Sequence, residues 1–125
     1  MTNTETDKFG FYLSEKQQFL VVTFSGALIK ATLPEFQKCE KQILESQAKY
    51  IVLNFQELQQ MDLTAIRPLA QLQKQIREKP AQLKICAIQK KFCDLLTEAA
   101  AVRPQELCQD LAQALKSFDI LPSPR

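Results

Sequence analysis

Six consecutive residues, Tyr50-Ile51-Val52-Leu53-Asn54-Phe55, make a near-continuous apolar run of strand length. That is the pattern of a strand covered on both faces. What precedes it narrows the fold. Leu33, Phe36, Cys39 and Ile43 recur at spacings of three, three and four, one apolar stripe of a helix running to about Gln47. Thr32-Leu33-Pro34-Glu35 at its start has the capping-box spacing, and Pro34 sits where a missing N–H costs nothing. Upstream, Phe19-Leu20-Val21-Val22-Thr23-Phe24 is bulky on both faces, a second central strand. Strand, helix and strand in this order, with only a few residues between helix and second strand, predict a parallel pair joined by a right-handed crossover. The unit then repeats. Ile66, Leu69, Leu72 and Ile76 mark a helix that stops before Pro80, and Leu83-Lys84-Ile85-Cys86-Ala87-Ile88 reads as the next strand.

The flanks complete the sheet. Phe9, Phe11 and Leu13 alternate around Gly10 and Tyr12 as a half-buried strand, and Ser14-Glu15-Lys16-Gln17 supplies the polar turn of an N-terminal hairpin. Phe92, Leu95, Leu96 and Ala99 mark a third helix. Pro104 with Glu106 opens a fourth, bearing Leu107, Leu111, Ala114, Leu115 and Phe118, and leaves Ala101-Val102-Arg103 room for only a very short edge strand. The expectation is an α/β domain over residues 9–118, a mixed sheet of four to five strands with about four helices packed on it. Residues 1–8 and 119–125 are expected to be tails.

Composition removes several classes of function. A chain of 125 residues, 46% hydrophobic and 24% charged, has room for one core. Its apolar runs fall far short of the ~20 residues a membrane span needs, and the polar, acidic start predicts a cytoplasmic rather than a secreted protein. With no histidine and no Cys-x-x-Cys pair, a metal site is not expected, and Cys39, Cys86, Cys93 and Cys108 read as free thiols, Cys86 buried and inert in its strand. The 16 basic and 14 acidic residues are interleaved, which argues against nucleic acid as partner; Lys90-Lys91 with Lys84 and Lys79 reads as a solvated face. A serine or cysteine nucleophile lacks its usual base, and two glycines cannot build a phosphate cradle, so neither an enzyme nor a cofactor is expected.

At this point the chain resembles a known family, the STAS domains typified by bacterial anti-sigma factor antagonists. Val22-Thr23-Phe24-Ser25-Gly26-Ala27-Leu28 is similar to the family's second strand and the glycine turn after it. Tyr50 to Phe55 is similar to its central strand, and Leu58-Gln59-Gln60-Met61-Asp62-Leu63-Thr64-Ala65 to its signature loop, an aspartate followed by two hydroxyl residues and a glycine. The resemblance spans roughly residues 9–118. It implies a non-catalytic domain that docks a protein partner, either an anti-sigma factor or kinase-like regulator, or a transporter ATPase subunit with which it forms a constitutive complex. It also implies that Asp62, Leu63, Thr64 and Ala65, with the helix after them, form the docking surface. Ala27, Leu28 and Ile29 join this surface as an apolar turn expected at the same end of the sheet.

The departures bear on regulation. The residue after the aspartate, usually the serine that a partner kinase phosphorylates, is Leu63, so Thr64 is the remaining candidate phosphoacceptor. Ala65 stands in place of the glycine, and Pro68 places the start of the regular helix at Ala65 or later. Asp62 also has a plainer reading, as the N-terminal cap of that helix, and anion recognition at the helix start near Thr64 would require no further motif.

Overall fold

The computed structural model describes residues 8–100 and 102–118. Five strands form one mixed sheet in the spatial order in which they occur in the chain. β1 (Phe9–Lys16) pairs antiparallel with β2 (Phe19–Leu28), and β3 (Tyr50–Met61), β4 (Gln82–Cys86) and β5 (Leu107–Cys108) follow in parallel. Helices α1 (Leu33–Glu45), α2 (Ile66–Arg77), α3 (Lys90–Glu98) and α4 (Leu111–Ser117) complete the fold, so the expected architecture and both strand-helix-strand units are present. The tail residues 1–7 and 119–125, and Ala101 of the expected edge strand, lie outside the described residues.

Two layers cover the sheet, which is why β3 is apolar on both faces. Leu20, Val22, Phe24, Ile51, Leu53 and Phe55 point to one face and pack under Phe36, Cys39 and Ile43 of α1 and Leu69, Leu72 and Ile76 of α2. Phe24 meets Phe55 edge-on there, with ring centroids 5.1 Å apart. Val52 and Cys86 point to the other face, where Ala114 of α4 and Phe118 close over them. Phe19 stacks on Tyr50 at 4.7 Å in that layer, and Phe118 packs against both rings.

Four local expectations are corrected. The hairpin turns at Gln17-Gln18, three residues later than the polar stretch 14–17 implied, because β1 runs on through Ser14, Glu15 and Lys16 as an exposed strand end. Both turn residues have positive φ (53° and 76°), as a two-residue turn matched to strand twist requires. Thr32 does not form the expected capping box with Glu35. Its hydroxyl donates to the Ala27 carbonyl (2.8 Å) and accepts from the Ile29 amide (3.0 Å), tying the end of β2 to the start of α1. The fourth helix begins at Leu111 rather than near Pro104, capped by Asp110, whose carboxylate accepts from the Gln113 amide at 2.8 Å. The edge strand is Leu107-Cys108, preceded by a single 3-10 turn at Pro104–Glu106, so Leu107 belongs to the sheet instead of a helix.

A largely buried ion pair fixes that last segment. Arg77, at the end of α2, donates from Nε (2.9 Å) and Nη2 (2.7 Å) to the two carboxylate oxygens of Glu106, the side chains being 18% and 10% exposed. Removing one partner of such a pair leaves the other charged and poorly solvated. Glu106→Ala is therefore expected to cost about 2 kcal/mol, somewhat below the ~3–5 kcal/mol typical of fully buried pairs. Urea unfolding of Glu106→Ala and of Arg77→Met/Glu106→Leu checks it, since the double variant should recover most of the loss.

Candidate functional site

β3 continues six residues past the predicted end at Phe55, as far as Met61. Along this extension Phe55, Leu58 and Met61 are buried while Gln56, Glu57, Gln59 and Gln60 are exposed. A burial period of three is foreign to a regular strand, whose side chains alternate. It arises from two register shifts against β2: Thr23 faces Asn54 but Ser25 faces Glu57, and Gly26 faces Leu58 but Ala27 faces Gln60. β3 thus carries an extra residue at each of two bulges, which turn its end and deliver Asp62 to the C-terminal end of the central strand.

Asp62 is the organiser of the turn that follows. Its Oδ1 accepts from the Thr64 amide (3.0 Å) and from the Thr64 hydroxyl, and its Oδ2 accepts from the Lys30 amide at 3.2 Å. Its own amide donates to the Leu28 carbonyl (3.2 Å), and its carbonyl accepts from the Ala65 amide (3.1 Å). The bonds to its carboxylate, the Thr64 hydroxyl first, hold the carboxyl below the usual carboxylate range. The capping reading of Asp62 is therefore what the geometry displays, on a 3-10 turn at Leu63–Ala65. α2 starts at Ile66, which puts Pro68 in its first turn, where a missing N–H breaks no helical bond.

The consequence of this turn is the position of Leu63. With the backbone pinned on both sides by Asp62, its side chain projects outward and is 69% exposed, the most exposed large apolar side chain among the described residues. Thr64 is exposed beside it, whereas Ala65 is fully buried and seats the turn on the core. Lys30 and Arg67 are exposed on the two elements that flank the turn. Lys30 carried no signal in the sequence; only the fold brings its amide to Asp62.

The second predicted segment is corrected in part. Ala27 and Leu28 are not a turn but the last two residues of β2, and both are fully buried; only Ile29 is partly accessible. The reason is Gly26, whose positive φ (79°) allows β2 to continue through the bulge instead of reversing. The two segments do meet at one end of the sheet, through the bonds from Asp62 to Leu28 and Lys30. Ala27 and Leu28 nevertheless contribute to the core beneath the surface and offer no contact area.

Elsewhere the chemistry is sparse. No group of three or more His, Cys, Asp or Glu among the described residues is placed to hold a metal, and no helix among them is long and apolar enough to cross a membrane. Burial pushes the Cys39 thiol up to about 12 and the Cys86 thiol to about 11, and both are fully buried.

Comparison with known proteins gives a consistent picture of the fold. A family model described as the STAS domain matches residues 12–114. No curated protein matches the sequence. Among solved structures, an anti-sigma factor antagonist from Mycobacterium paratuberculosis superimposes with a TM-score of 0.73 at 16% identity, over 89% of this chain and 94% of that one. The Bacillus cell fate determinant SpoIIAA, in its phosphorylated form, gives 0.67 at 12% identity over 86% and 97%. The murine solute carrier 26 family member A9 anion transporter gives 0.67 at 16% identity over 82% of this chain, which spans only 18% of that much longer protein.

Proposed function

Because the chain belongs to the STAS domain family, we propose that it acts without catalysis, as a docking module that holds a protein partner through the Asp62–Ala65 turn, with Ile29 and the exposed face of α2 beside it. The observation that carries this reading is Leu63, an apolar side chain 69% exposed on a turn whose backbone is already fixed by Asp62. A preordered apolar anchor adds contact area at little entropic cost, the property of residues that dominate interfaces. The partner is a regulator of the anti-sigma factor or kinase type, and the setting cytoplasmic.

A second reading, a constitutive subunit of a transporter or other assembly, is favoured by Thr64. Its hydroxyl is engaged with the Asp62 carboxylate. A phosphate there would replace a donor with about −1.5 to −2 charges beside a carboxylate, breaking the turn that presents Leu63. Leu63 itself accepts no phosphate. Docking through this turn thus requires no phosphate, as a constitutive contact demands.

The test is capture of partners from the native host by wild type, Leu63→Asp, Thr64→Ala and Thr64→Glu, with the captured protein then titrated in purified form. Leu63→Asp is expected to weaken binding at least tenfold, ~1.4 kcal/mol, while its melting temperature stays within a few degrees of wild type. Thr64→Ala should bind nearly as wild type. Undiminished binding by Leu63→Asp sinks the docking surface. Stoichiometric phosphate on Thr64, coupled to lost binding, restores a phosphorylation switch.

A further inference from the structure

Two of the four cysteines meet in the sheet. Cys86 ends β4, Cys108 ends β5, and the two are paired partners in the parallel ladder. They face the same side, since both belong to the layer under α4 with Val52, Leu111 and Ala114. Neighbouring strands lie about 4.8 Å apart, inside the ~4.4–6.8 Å range of Cα separations that a disulfide spans. Closing the bond would draw the side chains slightly together. That adjustment falls on β5, a two-residue edge strand held to β4 by only two residue pairs.

The two thiols differ in access. Cys86 is fully buried, 3.6 Å from the Asn54 amide oxygen, and burial pushes its thiol up to about 11. Cys108 is half-buried, lies 3.5 Å from the Ser117 hydroxyl, and lines an open surface cavity of about 470 Å³ with Cys93, Ile88 and Gln113. A small oxidant reaches Cys108 and is kept from Cys86. The half-buried thiol is the point of entry, and the buried one, held protonated by burial, is the slower resolving partner.

We propose that Cys86 and Cys108 form a reversible cross-strand disulfide when a peroxide oxidises the protein. In the first step hydrogen peroxide transfers one oxygen to the Cys108 thiol, giving a sulfenic acid and water. In the second the Cys86 sulfur attacks the Cys108 sulfur, loses its proton, and expels the hydroxyl as a second water. Two thiols and one peroxide thus become one disulfide and two waters, and a dithiol reductant reverses the change. The product ties β5, and with it the seat of α4, covalently to β4.

The experiment treats the native full chain with a few equivalents of hydrogen peroxide, blocks remaining thiols with N-ethylmaleimide after unfolding, and maps cross-linked peptides by mass spectrometry. The expected result is one dominant disulfide, Cys86 to Cys108, removed by dithiothreitol and unaffected by Cys93→Ser. Closing this loop should raise the melting temperature by roughly 5–10 °C. Cys108→Ser should leave Cys86 unmodified. Cys86→Ala, or Cys86→Ser if the first folds poorly, should leave a Cys108 sulfenic acid that dimedone traps. A dominant Cys93–Cys108 disulfide, Cys108 oxidised beyond sulfenic acid with Cys86 still free, or no modification of Cys108 overturns the proposal. None of these outcomes depends on partner docking at Leu63.

Discussion

Leu28→Asp is expected to unfold the domain. Leu28 is fully buried at the end of β2, packed in the principal core, so the substitution removes most of a leucine's packing and places a carboxyl among apolar neighbours. Loss of the side chain alone costs about 2–5 kcal/mol, and burial of the carboxyl, even protonated, adds more. A total of about 5 kcal/mol is comparable with the whole stability of a small domain, ~5–15 kcal/mol. Circular dichroism and thermal melting decide it: Leu28→Asp should show a broad or missing transition, whereas Leu63→Asp, on the surface above it, should melt near wild type. A folded Leu28→Asp protein with an unchanged midpoint would mean that β2 does not run past Gly26.

Gly26→Ala should be nearly as damaging for a backbone reason. Gly26 has φ +79°, a region that costs an L-residue about 1–2 kcal/mol. A Cβ placed on it would lie 2.0 Å from the Lys8 carbonyl oxygen, an overlap no rotamer can relieve because both atoms are fixed to main chain. Relief requires moving Lys8 away, which breaks the 2.8 Å bond from the Ala27 amide to the same oxygen and loosens the start of β1. The expected cost is about 4 kcal/mol, at the exceptional end for a single substitution. Gly10 provides the control: a Cβ there meets only the Ser25 hydroxyl, at 2.6 Å, and that side chain can rotate. Urea midpoints should therefore fall much further for Gly26→Ala than for Gly10→Ala.

Much of the fold was legible because its elements obey simple periods. The stripe Leu33, Phe36, Cys39, Ile43 and the run Tyr50 to Phe55 needed no tertiary information. Legibility failed where geometry departs from regular repeats. Leu58 and Met61 read as loop because bulges impose a period of three that matches neither helix nor strand. Ala27 and Leu28 read as a turn because a glycine before an apolar triplet has the grammar of a reversal, and only Lys8 packed against Gly26 shows otherwise. Leu107 fitted the stripe of α4, and nothing local distinguishes a two-residue strand from a helix start. At the site, Asp62 and Leu63 are legible through the resemblance of Leu58 to Ala65 to the family's signature loop. The partnership of Lys30 with Asp62 spans 32 residues and leaves no trace in either segment.

The sheet order β1-β2-β3-β4-β5 has a consequence for how the molecule is made. No strand waits for a later one to be slotted between itself and its neighbour, so each new strand meets a finished edge as it leaves the ribosome. Such sequential pairing keeps loop closures short, which favours rapid folding. It also leaves one growing edge at a time exposed to other chains, and limits the opportunity for aggregation during synthesis.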